Sequence, residues 1–461
     1  MDELAIARRI HLIGVGGAGM SALAKLLAQL GHTVSGSDLA GGEELAKLGD
    51  LGLNVWRSSR PEALSGVEVV VASSAVPERD PEWQAARRLG AVCWQRPDLL
   101  EALTFTMPAI GVTGTHGKTT TTAMLVSALR ALGRDPSFVL GGEMLELRTN
   151  AHLGERALFV LEADEAFRTF ERISFSGLVV TNVEAEHLDH FGTLADLEDS
   201  FIGVVNAVNG PAVLGADDDG ARRVARRTGR PTFGVAPEAR WRIRDLADGP
   251  DSVRFLLSGP DGGMAVEVAR PGIHNARNAA GALALLGEMG FDWRRAASGL
   301  SEFKGVRRRF EMRGSVGGVT IIDDYAHHPS EVVAVLQAAS HGGWARTWAV
   351  FQPHLYSRTA MFHRQFGEAL AAADRVVVTD VYASRESPEP GVTGELVAEA
   401  ARRAGGAVTY IPHRSDVAAF LADEVSPGDL VLTMGAGDIT LVPAELASLL
   451  APGPVGEDVR A

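Results

Sequence analysis

Residues 111–120 read GVTGTHGKTT. The apolar run AIGVTG that leads in reads as a strand, and Thr119 to Leu132 has helical spacing that ends at Gly133. A glycine-rich turn from strand to helix can cradle phosphate. Backbone N–H groups point at the anion, a lysine neutralises it, and a hydroxyl can meet a metal ion. The common spacing places a glycine six positions before the lysine, and here that position is Val112. The loop is the shorter G-x-x-G-K-T that starts at Gly114. Gly114, Thr115, Gly117, Lys118, Thr119 and Thr120 are the candidate phosphate-binding residues. The shortened loop argues against the commonest motor and GTPase versions, but not against nucleotide binding.

Working outward, short apolar strands alternate with helical stretches along the whole chain, which predicts an α/β fold with parallel sheets. IHLIGVG (10–16), HTVSGSD and VEVVVASSAV (67–76) form one group. ALFVLEAD (157–164) and GLVVTNV (177–183) follow the phosphate loop, and the helix-like NARNAAGALALLGEMG (275–290) closes that group. VTIIDDYA, TWAVFQP, RVVVTDVY, AVTYIP and DLVLTMGAG form a third. Polar residues sit at the C-terminal ends of these strands, the edge where open α/β sheets bind ligands. The tail after Leu450 reads as a frayed terminus.

A chain of 461 residues is long enough for two or three domains, and 46% hydrophobic with 22% charged residues suits packed soluble domains. The net charge is −14 and no long basic run occurs, so neither nucleic acid nor a membrane surface is an expected partner. Cys93 is the only cysteine, so no intrachain disulfide forms, and a reducing compartment fits. The start, MDELAIARR, lacks the apolar core of a signal peptide, and no run is long enough to span a bilayer. A cytoplasmic location is expected.

Four further constellations carry chemistry. GVGGAG (14–19) follows a strand and opens a helix, so Gly14, Gly16, Gly17, Ala18 and Gly19 can approach a diphosphate. Ser37 and Asp38 end the next strand, where a ribose-binding acid belongs; NAD and a UDP-sugar both satisfy this pattern. EADE (162–165) and TNVEAEHLDH (181–190) place Glu162 and His187 at neighbouring strand ends, where they can complete a metal site with Thr119. Mg²⁺ prefers oxygen ligands, and Mn²⁺ accepts a histidine more readily. HNARN (274–278) offers His274 to stack on a base and Asn278 to pair with one; helix capping by Asn275 is the plainer reading. KGVRRRFE (304–311) offers Arg309 for γ-phosphate charge, where a solvated arginine face is the alternative. DDYAHHP (323–329), QPHLYSR (352–358) and MGAGD (434–438) follow it.

In this order, GTHGKTT, HLIGVGGAGMS, the SSAV at 73–76, VTNVEAEHLDH, HNARNA, DDYAHHP, QPHLYSRT and MGAGD resemble the Mur ligase family of peptidoglycan synthesis, over nearly the whole chain. The resemblance implies three domains: a Rossmann-like UDP-sugar-binding domain (1–104), a central phosphate-loop ATPase domain (105–312) and a Rossmann-like, amino-acid-binding domain (313–461) that closes on the ligands. It implies an ATP- and Mg²⁺-dependent ligase of the branch that joins L-alanine to the lactyl carboxylate of UDP-N-acetylmuramate. GVGGAG, with Ser37, Asp38, Ser73 and Ser74, would then hold UDP rather than NAD. Lys118, Glu162, His187, Arg309, Asp324 and His327 would be catalytic. Thr119, Glu162 and His187 would serve the metal, His274, Asn278 and Arg309 the ATP, and Tyr325, His354 and Arg358 the amino acid. Related ligases hold a second metal with a carbamylated lysine; no lysine lies between Lys118 and Lys304 here, so that device is not expected.

The chain departs from the family pattern at three sites. Ala166-Phe167 stand where a hydroxyl and a carboxylate are usual, Leu355 stands where an arginine is usual, and Glu186 replaces an aspartate. Three rivals stand beside this reading: a non-catalytic descendant that binds UDP-sugar and nucleotide, which Ala166, Phe167 and Leu355 motivate, a ligase for another amino acid or a peptide, and an NAD-dependent oxidoreductase built on GVGGAG and Asp38. The last leaves GTHGKTT and HNARN unexplained.

Overall fold

The computed structural model describes residues 4–40, 42–185, 191–384 and 386–451, the side chain of Phe167 excepted. Its strands form three sheets. The first has the order Asn54–Trp56, Thr33–Ser37, Arg9–Ile13, Val69–Ala72, Val92–Gln95, and every pairing is parallel. The chain winds outward from Arg9–Ile13 on one side, then restarts on the other. That reversal opens a crevice at the ends of Arg9–Ile13 and Val69–Ala72, where GVGGAG and SSAV lie.

The second sheet has ten strands. Its centre runs Ala212–Gly215, Phe175–Val180, Ala109–Thr113, Glu155–Glu162, Pro136–Met144, joined in parallel. Antiparallel pairs finish both edges. All five residues of Ala109–Thr113 are buried, because helices cover both faces of a parallel sheet. On one face Val112, Leu125, Leu129 and Phe138 pack with Leu283 and Leu286 of the helix Ile273–Glu288. On the other, a single apolar cluster runs from Leu23 and Leu103 to Phe159, Phe170 and Phe201, so the first two sheets share a core. Lys25 adds a buried hydrogen bond to Asn150 Oδ1 at 2.8 Å. These two sheets therefore belong to one compact unit.

The third sheet, in a second compact unit that begins its main run at Arg307, has the order Glu311–Val316, Val319–Asp324, Leu430–Met434, Thr347–Phe351, Arg375–Val378, Val408–Tyr410. It is parallel apart from the first pair. Glu311–Val316 straddles the expected boundary at 312/313. Every strand expected from the sequence has its counterpart here, and the expected helices after GVGGAG, after GTHGKTT and at HNARN form as Ala18–Gln29, Lys118–Ala131 and Ile273–Glu288. Among the described residues no helix is long and apolar enough to cross a membrane. The tail lies outside the described residues from position 452 on.

Candidate active site

The phosphate loop leaves the buried strand Ala109–Thr113 and turns into its helix within four residues. Gly114 has φ +124° and Gly117 φ +81°, a region that glycine enters without a Cβ penalty. Space is as restrictive as the dihedral: a Cβ on Gly114 would stand 2.3 Å from Thr181 Oγ1, and one on Gly117 2.7 Å from Asn278 Oδ1. The loop is also tied to the next strand end. The His116 N–H donates to Asn182 Oδ1 (2.7 Å), Thr181 Oγ1 donates to the His116 carbonyl (2.6 Å), and the Glu184 N–H donates to Thr115 Oγ1 (2.9 Å). Thr115 is buried, and Thr120 is half-buried on the helix's first turn.

Lys118 curls back over its own loop. Its Nζ donates to the carbonyls of Gly114 (2.7 Å) and Thr115 (3.2 Å) and pairs with Glu165 at 3.0 Å. Glu165 is almost fully buried, at 1% exposure. Glu165 is the last residue of EADE, and its signal in the sequence is its place just past the end of the strand Glu155–Glu162. Thr119 Oγ1 lies 3.1 Å from Glu162 Oε2, and Glu162 Oε1 accepts the Gly141 N–H at 2.5 Å. Two oxygen donors, one in the first turn of the helix Lys118–Ala131 and one at the end of the strand Glu155–Glu162, suit a hard divalent cation. His187 and Glu186 lie outside the described residues. Ala166 begins a 3₁₀ turn, Ala166–Arg172, in which Thr169 Oγ1 donates to the Ala166 carbonyl and Phe170 packs edge-on against Phe201.

Asn278 and Asn275 are buried on the helix Ile273–Glu288, with His274 half-buried in its first turn. Asp217, not among the residues expected from sequence, orders this edge. It accepts the N–H groups of Val235 and Ala236 (both 2.9 Å) and pairs with Arg277 at 2.6 Å. Its signal was the strand-then-acid pattern in AVLGADD.

At the first sheet, Gly14 has φ +80° and a Cβ there would meet Ser73 Cβ at 3.0 Å, so the two strand-end loops close on each other. The Gly16 N–H donates to Asp38 Oδ2 at 3.0 Å. Gly17 caps the helix Ala18–Gln29 without a side-chain partner, and no acid lies in its first turn, which leaves the helix N-terminus favourable to an anion. Gly19 faces the Arg96 guanidinium, with Cζ 3.2 Å from its would-be Cβ. Ser73 and Ser74 form the turn after Val69–Ala72. The Ser37 hydroxyl is committed elsewhere: it donates to Glu82, a buried carboxylate 3.5 Å from His11 Nε2.

In the second unit, Asp324 ends the strand Val319–Asp324. Arg309 lies over the Tyr325 ring at 5.0 Å, Tyr325 meets His327 edge-on at 5.2 Å, His327 meets His354 at 6.0 Å, and Arg358 Nη1 is 3.5 Å from His354 Nδ1. The fold thus gathers all six residues singled out there. Leu355 has φ +69°, a costly conformation for a branched side chain, where it opens the helix Tyr356–Leu370. Burial pushes the Asp324 carboxyl up to about 6, against the opposing effects of Arg309 and of hydrogen bonds from the Phe310 and Ala326 N–H groups. A carboxyl raised on folding contributes stability below the unfolded value, near 4, and that contribution is lost as pH rises through 6. Chemical unfolding of wild type and Asp324→Asn at pH 8 and pH 5 should show the difference move toward wild type by about 1 kcal/mol at the lower pH. A pH-independent difference would remove the assignment.

A phosphate loop at the strand ends of a parallel sheet, accompanied by two further α/β sheets, defines a multi-sheet phosphate-loop protein. Family models match three successive segments: the Mur ligase family catalytic domain over 9–105, the Mur ligase middle domain over 112–286, and the Mur ligase glutamate ligase domain over 308–437. The chain belongs to the Mur ligase family. It is 42% identical over 451 residues to the UDP-N-acetylmuramate–L-alanine ligase of Cutibacterium acnes, covering 96% of each chain. It is 44% identical over 464 residues to the ligase of the same name from Kineococcus radiotolerans, covering 98% of each. Among solved structures, the UDP-N-acetylmuramate-alanine ligase of Thermotoga maritima superposes with TM-score 0.83 at 28% identity, over 96% of this chain and 98% of that one. A murein peptide ligase from Psychrobacter arcticus shares the fold, with TM-score 0.73 at 24% identity, over 96% and 99%.

Proposed function

We propose that this protein joins L-alanine to the lactyl carboxylate of UDP-N-acetylmuramate at the expense of ATP, in peptidoglycan precursor synthesis. The observation that carries the reading is the phosphate loop itself, with Lys118, Thr119 and Glu162 converging at one edge of the central sheet, in a chain so similar to ligases of that name. The reaction needs activation, because a carboxylate is a poor electrophile. Its oxygen attacks the γ-phosphorus, ADP leaves, and an acyl phosphate forms. The amine of L-alanine then attacks the acyl carbon, and the tetrahedral intermediate collapses with loss of phosphate and a proton. Catalysis is mainly positioning and charge neutralisation.

The three-domain division at 1–104, 105–312 and 313–461 assigns the sugar nucleotide, ATP and the amino acid in turn. Lys118 neutralises the transferring phosphate, and Arg309 adds a second positive charge. Asn278 and His274 hold the adenine. The GVGGAG turn, with Asp38, Ser73 and Ser74, takes the UDP, and Tyr325, His354 and Arg358 form the amino-acid pocket. Thr119 and Glu162 are the oxygen ligands for Mg²⁺, with His187 as third candidate; the bound ion supplies positive charge to the phosphate oxygens. Asp324 and His327 complete the catalytic set.

The test is phosphate release from ATP with Mg²⁺ and UDP-N-acetylmuramate, offering amino acids singly. Release that requires both the sugar nucleotide and L-alanine supports the reading and shows that Leu355 is tolerated. Binding of both nucleotides without release for any amino acid would instead favour a non-catalytic descendant.

A further inference from the structure

KGVRRRFE presents three consecutive arginines, and the structure gives two of them opposite circumstances. Arg308 is held inward. Its Nη2 donates to the carbonyls of Gly435 (2.5 Å) and Gly437 (3.2 Å), its Nε lies 3.5 Å from Asp323 Oδ2, and its guanidinium covers the Tyr325 ring at 4.8 Å. Asp323 is fully buried, and its oxygens also accept Thr433 Oγ1 (2.7 Å) and Thr440 Oγ1 (2.5 Å). A carboxylate that deep in the protein persists only with such partners. Arg309 is held loosely. It lies over the same Tyr325 ring at 5.0 Å, and its ion pair with Glu331 spans 4.0 Å.

The backbone separates these fates. Arg308 has φ +59° and Phe310 φ +50°, so left-handed, non-glycine residues flank Arg309 on both sides. Such a conformation persists only where the surroundings over-determine it. Here the Tyr325 N–H donates to the Arg308 carbonyl (2.8 Å), the Arg308 N–H to Glu311 Oε2 (2.9 Å), and the Phe310 N–H to Asp324 Oδ2 (2.6 Å). Arg308 thereby clamps the turn to the loop after the strand Leu430–Met434, and Asp323 fixes the clamp.

We propose that Arg308 and Asp323 are positioning residues that hold the 307–311 turn against the Gly435–Gly437 loop and so aim Arg309 at the substrate phosphate. The inference rests on the ligase reading above. Neither residue touches substrate in this scheme; both act through Arg309.

A double-mutant cycle tests it, with Arg308→Ala, Arg309→Ala and the pair, read as kcat and KM for phosphate release. Arg309→Ala should lower kcat at least 100-fold, and Arg308→Ala at least tenfold with KM for the sugar nucleotide changed less than threefold. The pair should match Arg309→Ala alone within twofold, because a misaimed side chain matters only while it is present. Losses that multiply, or a folded Arg308→Ala with wild-type kcat, overturn the proposal. If Arg308→Ala fails to fold, Thr440→Ala loosens Asp323 more gently and should show a smaller kcat loss that also vanishes in the Arg309→Ala background. A wild-type protein that binds a non-hydrolysable ATP analogue but releases no phosphate sinks the ligase reading alone, and the same cycle is then read on analogue affinity. A protein that binds no nucleotide sinks both.

Discussion

Lys118→Ala is expected to abolish ligation, with a loss of at least 1,000-fold in kcat, on the order of 4 kcal/mol of transition-state stabilisation, while UDP-N-acetylmuramate binding stays within a few-fold. The size follows from how the ammonium is held. Two carbonyls of its own loop and the buried Glu165 carboxylate fix it at the helix start, so its charge is in place before any phosphate arrives. The same change removes the ammonium from beside Glu165. That should cost about 1–3 kcal/mol of stability, less than for a fully buried pair because the lysine side chain is 18% exposed. Lys118→Ala combined with Glu165→Gln separates the two effects: the melting temperature should recover toward wild type and the activity should not. Isothermal titration with the sugar nucleotide is the third measurement. Equal loss of sugar binding and ligation would mean that the lysine does not serve a separate nucleotide site.

Gly114→Ala should damage the phosphate loop by adding a single methyl. The added carbon meets Thr181 Oγ1 at 2.3 Å and the Asn182 backbone carbonyl at 2.7 Å, and the residue must hold φ +124°. The dihedral alone costs about 1–2 kcal/mol, and the backbone contact roughly as much again. Relief requires Thr181 and Asn182 to move, and those residues grip His116 in the middle of the loop. A loss of at least 100-fold in phosphate release is expected, with a melting temperature several degrees lower. Gly133→Ala is the control: φ is +80°, yet nothing lies within 4 Å of its would-be Cβ. It should cost about 1 kcal/mol and leave the rate unchanged. If Gly114→Ala keeps half the activity, the loop is not the rigid cradle described.

Much of this protein was legible one segment at a time. Strands and helices followed from apolar periodicity, and the phosphate loop from glycines and a lysine within a few residues of one another. Such features are local, so the sequence displays them directly. GVTGTHGKTT and its flanks read as a strand, a glycine turn and a helix, from the apolar run, the glycines and the helical spacing that follows. What the sequence could not display was the choice of partners. Nothing local marks Glu165 as the ion partner of a lysine 47 positions earlier, or Glu82 as the acceptor of the Ser37 hydroxyl, or Asp217 as the brace for Arg277. Nor did three adjacent arginines reveal that Arg308 turns inward while Arg309 stays loosely held. Such pairings arise only when strand ends far apart in the chain meet at one sheet edge, where burial makes each charge find a partner. Local pattern set the elements, their order and the chemistry available; contacts between distant segments set which polar groups bond within the fold and which remain for a ligand.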